Sequence, residues 1–369
     1  MNTYWDCLPT GSETDEDSQP RVSSRALRRF AGDILTAAGL EPDDADAAAS
    51  CLVLADLRGV GTHGAFRLLQ YTDSIAAGDI NRQPFVRVLN QKGATAVVDA
   101  DGGYGYRPAL MAMDMAIDLA GRLGVGSVAV RNSHHFGMAA AFSLRAAERG
   151  SIGFVTTNSL PQIAPPGGSR AVVGNNPYSV AVPRATGRKP IVIDIALTEA
   201  PFGTAALALL AGRALAPGLA MDTVGLPTTD PGEAMKSGAL VAIGRQKGYA
   251  LSVASEVLSA ALSGSPVGGD SHCHRGAAGG VGHYLMAINP SFFIERAVFV
   301  AAVETLCSQI HAVPPSDPNG EVFVPGELGW RSYAERLRNG IPMPQTLFDA
   351  LTGLAERLQV SPFRRLKPA

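Results

Sequence analysis

The chain has 369 residues, 46% of them hydrophobic, and a formal net charge of −2. That length accommodates two or more folding units with a sizeable core, and the near-neutral charge gives no footprint for nucleic acid or an acidic membrane surface. Basic runs are short enough to be solvated helix or tail, and four scattered cysteines (Cys7, Cys51, Cys273, Cys307) fit a reducing compartment better than a disulfide framework.

Residues 1–22 are polar and acidic and lack a basic start followed by an apolar stretch, so a flexible tail is expected rather than a signal peptide. No window makes a convincing membrane span, and the expected location is cytoplasmic. After Ser23 and Ser24, either of which suits a cap, Leu27, Phe30, Ala31, Ile34 and Leu35 recur with helical period. Asp43 to Leu57 predicts a second helix, with Ala47, Cys51 and Leu54 on its apolar face. Gly59 and Gly61 interrupt, and Ala65 to Ser74 begins a third helix. Arg58, Thr62, His63 and Arg67 thus lie where a loop meets helix ends, a position that focuses polar groups on a ligand.

From about Leu89 the character changes. "TAVVDAD" is strand-like, and a helix from Tyr106 stopped by Gly124 follows, with Leu110, Met113, Ile117 and Ala120 on its apolar side. "VGSVAVRN" is a strand running into the adjacent histidines of "NSHHFG". Met138 to Arg149 then predicts a helix and "IGFVTTN" a strand. A Pro- and Gly-rich stretch precedes strands at Tyr178–Val182 and "PIVIDIA". Gln246 to Leu262 predicts a long amphipathic helix, "HYLMAINPSFF" a strand and turn, and Ile294 to Gln309 a helix, with a mixed tail from Gly320. This alternation argues α/β construction, and no fixed-period repeat is present.

Glycine-rich "GVGTHG" follows a helix rather than a strand, so a conventional Rossmann dinucleotide site is excluded, as are a phosphate-binding GKS/T, a zinc-protease histidine pair and CxxC. "SHCH" at 271–274, with His283 nearby, lacks a second cysteine or carboxylate at a zinc spacing, and the expectation is no metal. His63 and Arg67, four apart at a helix start, would share a face suited to a carboxylate-bearing substrate: guanidinium grips both oxygens and imidazole polarises a neighbouring one.

Taken in order, "DLRGVGTHGAFR", "RNSHHFGMAA", "TTNSLPQIAPPGG", "VVGNNPYSVAVP", "PIVIDIA" and "RQKGYALSVASEVLSAALSG" make the chain resemble the malate/L-lactate dehydrogenase-like family. This non-Rossmann oxidoreductase family also contains ureidoglycolate dehydrogenases, diketogulonate reductases and cyclic-imino-acid reductases. The likeness runs from about Ser24 to "RNGIPMP". It implies an α/β fold with a largely antiparallel central sheet flanked by helices. It also implies a division into residues 23–88 (helical, substrate and dimerisation), 89–310 (NAD(P)-binding) and 311–369 (packing back on the N-terminal unit), and a homodimer. The implied activity is NAD(P)-linked hydride transfer on a small 2-oxo or 2-hydroxy acid, or on a cyclic imino acid; a catalytically silent ligand-binding or scaffold homologue is the remaining alternative.

The family's Ser-Asn-His-Phe-Gly pattern aligns with Ser133 to Gly137, which puts His135 at the acid/base position and His134 in place of asparagine. The second family histidine falls on His63, preceded by Thr62 where serine is usual, so acid/base duty is open between the two histidines. The resemblance gives Arg67 the substrate carboxylate, with Arg58, Thr62 and His134 as further substrate-side candidates. On the cofactor side it implies Asn158, Ser159, Pro165, Gly168, Asn176, Asp194, Ile195, Ala196, Lys247 and Gly248. "DIALTEAPFGT" departs from the family, with Glu199 at a usual serine and Thr204 at a usual lysine. A carboxylate there repels an added ribose phosphate, which favours NAD over NADP.

Overall fold

The computed structural model describes residues 19–200, 204–205, 208–209, 212–271, 279–318 and 320–366. The chain enters as strand β1 (Arg21–Val22), then helices α1 (Ser24–Ala37), α2 (Pro42–Leu57) and α3 (Arg67–Ala77). Next come β2 (Arg87–Lys92), β3 (Thr95–Asp99), α4 (Tyr106–Leu123), β4 (Val125–Ser133), α5 (Ala140–Glu148), β5 (Ile152–Thr157), β6 (Tyr178–Val182) and β7 (Ile191–Ile195). A small hairpin, β8 (Ala220–Met221) and β9 (Pro227–Thr228), precedes α6 (Pro231–Ser237) and α7 (Gln246–Glu256). The chain finishes with β10 (Val281–Ile288), α8 (Arg296–His311), α9 (Glu327–Asn339), β11 (Ile341–Pro342) and α10 (Gln345–Arg357).

Seven strands form one sheet in the order β2-β3-β4-β10-β5-β6-β7. Only β3 and β4 run parallel, joined through α4; the other pairs are antiparallel. A short hairpin cannot join parallel strands, so this pair requires the helical crossover. The late strand β10 sits at the centre, between β4 and β5. One apolar core runs continuously from α1 and α2 through α4, α5 and the sheet to α10. Leu27, Phe30, Ala31, Ile34 and Leu35 are all buried, as their spacing predicts.

Several elements differ from expectation. Ser23 occupies the cap position of α1, but its side chain makes no capping bond. Arg21 and Val22, assigned from sequence to the tail, pair with Pro342 and Ile341, so the chain is ordered before residue 23. Residues 1–18, including Cys7, lie outside the described residues, as do His272 to His274 of the "SHCH" stretch. Cys51 and Cys307 are free and buried. The helix from Gln246 is present but inverted: Ser252, Ser255, Glu256 and Ser259 are buried while Leu251, Val257 and Leu262 are exposed. It also loosens into a π-turn at Val257–Ala261. Among the described residues no helix is long and apolar enough to cross a membrane.

Candidate active site

The site forms where β4, β5 and β7 end and the α2–α3 connection folds over them. That connection is held by a buried carboxylate. Asp56 Oδ2 accepts the Ala65 N–H at 2.8 Å, and the chain packs so closely that a Cβ on Gly64 would lie 1.7 Å from Asp56 Oδ1. Burial pushes the Asp56 carboxyl up to about 7, against the lowering effects of the Ala65 N–H and Arg336. Because this lies above the unfolded value of 3.8, the native state binds the proton more tightly, and the associated stability is lost as pH rises toward 7. The melting temperature of Asp56→Asn should therefore fall less than that of the native chain between about pH 5 and pH 8. Parallel curves in a calorimetric pH series would contradict this.

Thr62 and His63 lie in a single 3-10 turn, Gly61–His63, and Arg67 is the first residue of α3. They are therefore not neighbours on one helix, as the four-residue spacing suggested. Arg67 instead ties the two pieces together, its Nε donating to Thr62 O at 2.8 Å and its Nη1 to Gln70 Oε1 at 2.7 Å. His63 Nδ1 lies 3.1 Å from Thr62 Oγ1. Burial, reinforced by the Arg67 charge, pushes the His63 imidazole down to about 3, so it is neutral at physiological pH.

The adjacent histidines part company at the end of β4. His134 is 2% exposed, beside the buried His283. His135 faces His63 across the cleft, the two rings nearly parallel with centroids 5.5 Å apart. Its Nδ1 receives the Gly137 N–H at 3.3 Å and lies 2.5 Å from Tyr71 Oη, which lies 2.8 Å from Tyr106 Oη. A backbone N–H can only donate, so Nδ1 is the acceptor, Tyr71 donates to it, and the proton of the neutral ring sits on Nε2. Gly137 adopts φ +78, and a Cβ there would lie 2.7 Å from Tyr106 Oη. Glycine is therefore required for the donor to take this position.

Tyr71 and Tyr106 were not singled out from sequence. The available signal was spacing, since Arg67, Gln70, Tyr71 and Ser74 stand at i, i+3, i+4 and i+7 of α3 and all line the cavity. Tyr71→Phe should lower kcat about tenfold, the scale of one hydrogen bond, with dinucleotide affinity within about twofold. Nitrogen-15 NMR should show the bias of the His135 tautomer weakening, since the Gly137 N–H at 3.3 Å then holds Nδ1 without Tyr71. Unchanged turnover and tautomer would remove Tyr71 from this role.

The cavity encloses about 520 Å³ and is lined by Thr62, His63, Arg67, His134 and His135 from the substrate-side set. Asn158, Ser159, Asp194, Ile195 and Ala196 line it from the cofactor-side set. Arg58 does not reach it: 7% exposed, it stacks 4.4 Å over the Trp330 ring, where burial pulls its guanidinium down against the opposing charge of Asp194. Asp194 Oδ2 accepts the Ala140 N–H at the start of α5 at 3.2 Å. The residue is exposed to the cleft, and desolvation by the groups around its carboxyl raises it to about 7, against the lowering effects of the Ala140 N–H and the Arg58 charge.

Asn176 lies one layer back. Its Oδ1 accepts the Ser159 N–H at 2.9 Å and its Nδ2 donates to Glu256 at 2.6 Å. Glu256, another residue missed from sequence, also accepts from Gly268 N at 2.8 Å, and so braces the loops behind Asn158 and Ser159. Pro165, Gly168, Lys247 and Gly248 are not among the lining residues. His283, considered for a metal, is fully buried with Nδ1 2.7 Å from Thr157 Oγ1 and Nε2 2.8 Å from Ser133 Oγ. Among the described residues there is no metal-binding group of three or more ligands.

The family implies a nicotinamide dinucleotide, and the cavity can be tested for one. Gln162 lines it and carries a buried Oε1 that accepts no hydrogen bond from any described residue, an acceptor suited to a carboxamide N–H. The volume falls in the range of small-molecule and cofactor sites. The residues fit a nicotinamide ring beside a small acid.

The structure thus joins a mixed, largely antiparallel sheet to a cleft lined by His63, Arg67 and His135. Residues 22–352 match the malate/L-lactate dehydrogenase family model. Malate dehydrogenase of Pyrococcus abyssi is 33% identical over 352 residues, covering 94% of this chain and 97% of that protein. The (2R)-3-sulfolactate dehydrogenase (NADP(+)) of Chromohalobacter salexigens is 34% identical, covering 77% and 87%; the ureidoglycolate dehydrogenase (NAD(+)) of Escherichia coli is 31% identical, covering 83% and 88%. The sulfolactate dehydrogenase structure from Methanocaldococcus jannaschii superposes with a TM-score of 0.83 at 32% identity, covering 92% of this chain and 98% of that one. The Δ1-piperideine-2-carboxylate reductase of Pseudomonas syringae pvar. tomato gives 0.83 at 31%, covering 91% and 99%. The chain belongs to the malate/L-lactate dehydrogenase family, and it is a dehydrogenase.

Proposed function

We propose that this chain is an NAD(P)-dependent dehydrogenase that moves hydride to or from C2 of a small 2-oxo or 2-hydroxy acid. His135 manages the hydroxyl proton and Arg67 holds the carboxylate. The observation that carries this reading is the convergence of His63, Arg67 and His135, from separate elements, on one cavity that also holds Asn158, Ser159 and Gln162. When bound, the dinucleotide supplies or accepts the hydride. Arg67 orients the acid by charge-assisted hydrogen bonds. A proton taken up from solvent makes His135 an imidazolium, which delivers its Nε2 proton to the oxygen forming at C2 and is left as the neutral ring; oxidation runs the same transfer in reverse. His63, neutral and bonded to Thr62, serves as a hydrogen-bonding wall rather than the proton carrier.

Cyclic-imine reduction is the second reading, favoured by the Asp194 carboxyl on the cavity wall, which suits a substrate nitrogen. Glu199 is exposed and accepts the Gly244 N–H at 3.1 Å, beside the turn carrying Lys247 and Gly248. A dinucleotide phosphate at that turn would meet its charge, which supports NAD over NADP. A homodimer is supported by α8 and its approach, where Phe292, Phe293, Ile294, Val298 and Leu306 are exposed. Following NADH and NADPH oxidation against 2-oxo acids and cyclic imines tests the reading, with turnover of 2-oxo acids expected to dominate. Absence of turnover and of dinucleotide binding in both panels would reject it and leave the silent homologue.

A further inference from the structure

Resting on that reading, we infer that the cavity selects acids with a single anionic group and an uncharged side chain, and that Gln70 and Ser74 set this selectivity. Among the described lining residues, Arg67 is the one Lys or Arg and Asp194 the one Asp or Glu. Asp194, its carboxyl raised to about 7, offers an anion no attraction and repels it to the extent that it is ionised. One substrate carboxylate uses the guanidinium, which already spends donors on Thr62 O and Gln70 Oε1. A second anionic group would then find no permanent cation among these residues to replace its lost hydration.

The rest of the wall has the same character. Along the face of α3 that lines the cavity, Gln70 and Ser74 follow Arg67 with neutral polar groups. Phe66, Ile80 and Tyr104 add buried apolar or aromatic surface. A carboxylate or sulfonate held there loses its hydration without a partner, whereas a methyl, ring or amide meets either apolar contact or a neutral hydrogen-bonding group. His63 does not compensate, since burial keeps it neutral. Malate and 3-sulfolactate carry two anionic groups, so this chain departs in substrate charge from the relatives that bear those names.

The test compares oxaloacetate with 2-oxosuccinamate, its monoamide, on the native enzyme with saturating reduced dinucleotide. The shapes match and the charge differs by one. A kcat/KM ratio of about tenfold or more in favour of the amide is expected; a smaller ratio, or preference for oxaloacetate, overturns the inference. Ser74→Arg should move the ratio toward oxaloacetate by about tenfold, and an unmoved ratio in the folded variant removes Ser74 from the selectivity. Calorimetry with oxamate and tartronate, a monoanion and a dianion, gives a readout independent of turnover. Tighter oxamate binding supports the inference and tighter tartronate binding refutes it. Failure of every 2-oxo acid to turn over would sink the dehydrogenase reading while calorimetry still decided the charge preference.

Discussion

Replacing His135 with asparagine should slow hydride transfer by about a hundredfold or more, the scale of a lost general acid–base group, with dinucleotide affinity held within about twofold. Asparagine retains hydrogen-bonding capacity but cannot carry a proton between solvent and substrate. The geometry sharpens the choice of histidine: His135 faces the cleft with Nδ1 held by Tyr71 and Gly137, whereas His134 is almost wholly buried beside His283. His134→Asn should preserve more of the chemical step. Stopped-flow measurement on folded variants decides between them. An unchanged step in the His135 variant removes its assignment, and an equal loss in the His134 variant shows that the wrong member of the pair was chosen.

Arg67→Met should lower kcat/KM by about tenfold to a thousandfold, roughly 1.4–4 kcal/mol for the loss of a charge-assisted contact. Methionine keeps an unbranched apolar chain while removing the guanidinium. Part of the loss arises indirectly, because Arg67 also fixes Thr62 O and Gln70. Dinucleotide affinity should change much less. Arg58→Met makes the control: its guanidinium stacks on Trp330 outside the cavity, so the variant should lose thermal stability more than substrate affinity. Near-normal kcat/KM in the Arg67 variant would take it out of the substrate site, and selective loss of dinucleotide binding would move it to the cofactor side.

Much of the architecture was legible because the strands and helices of the central sheet carry clean periodicity. α1 buries the face its spacing predicts, and "VGSVAVRN" does lead to the site. The misreadings share a cause. Gln246 to Leu262 reads as amphipathic, and an apolar face ordinarily packs inward, yet Leu251, Val257 and Leu262 are exposed. The site instead requires small and polar groups there, with Glu256 turned inward to brace Asn158 and Asn176. Arg58 looked ligand-facing because it precedes a glycine-rich loop, but Trp330, distant in sequence, captures it. Tyr71 and Tyr106 come from separate helices, and their meeting at His135 depends on tertiary packing that local spacing does not encode.

The most direct test of the central claim is to follow a deuterium label from C4 of the reduced dinucleotide during turnover of a 2-oxo monocarboxylate, with the product read by NMR. Direct hydride transfer predicts one deuterium at C2 of the 2-hydroxy acid and a slowed single-turnover step. Product lacking the label, or label appearing in water with no 2-hydroxy acid formed, would contradict the account.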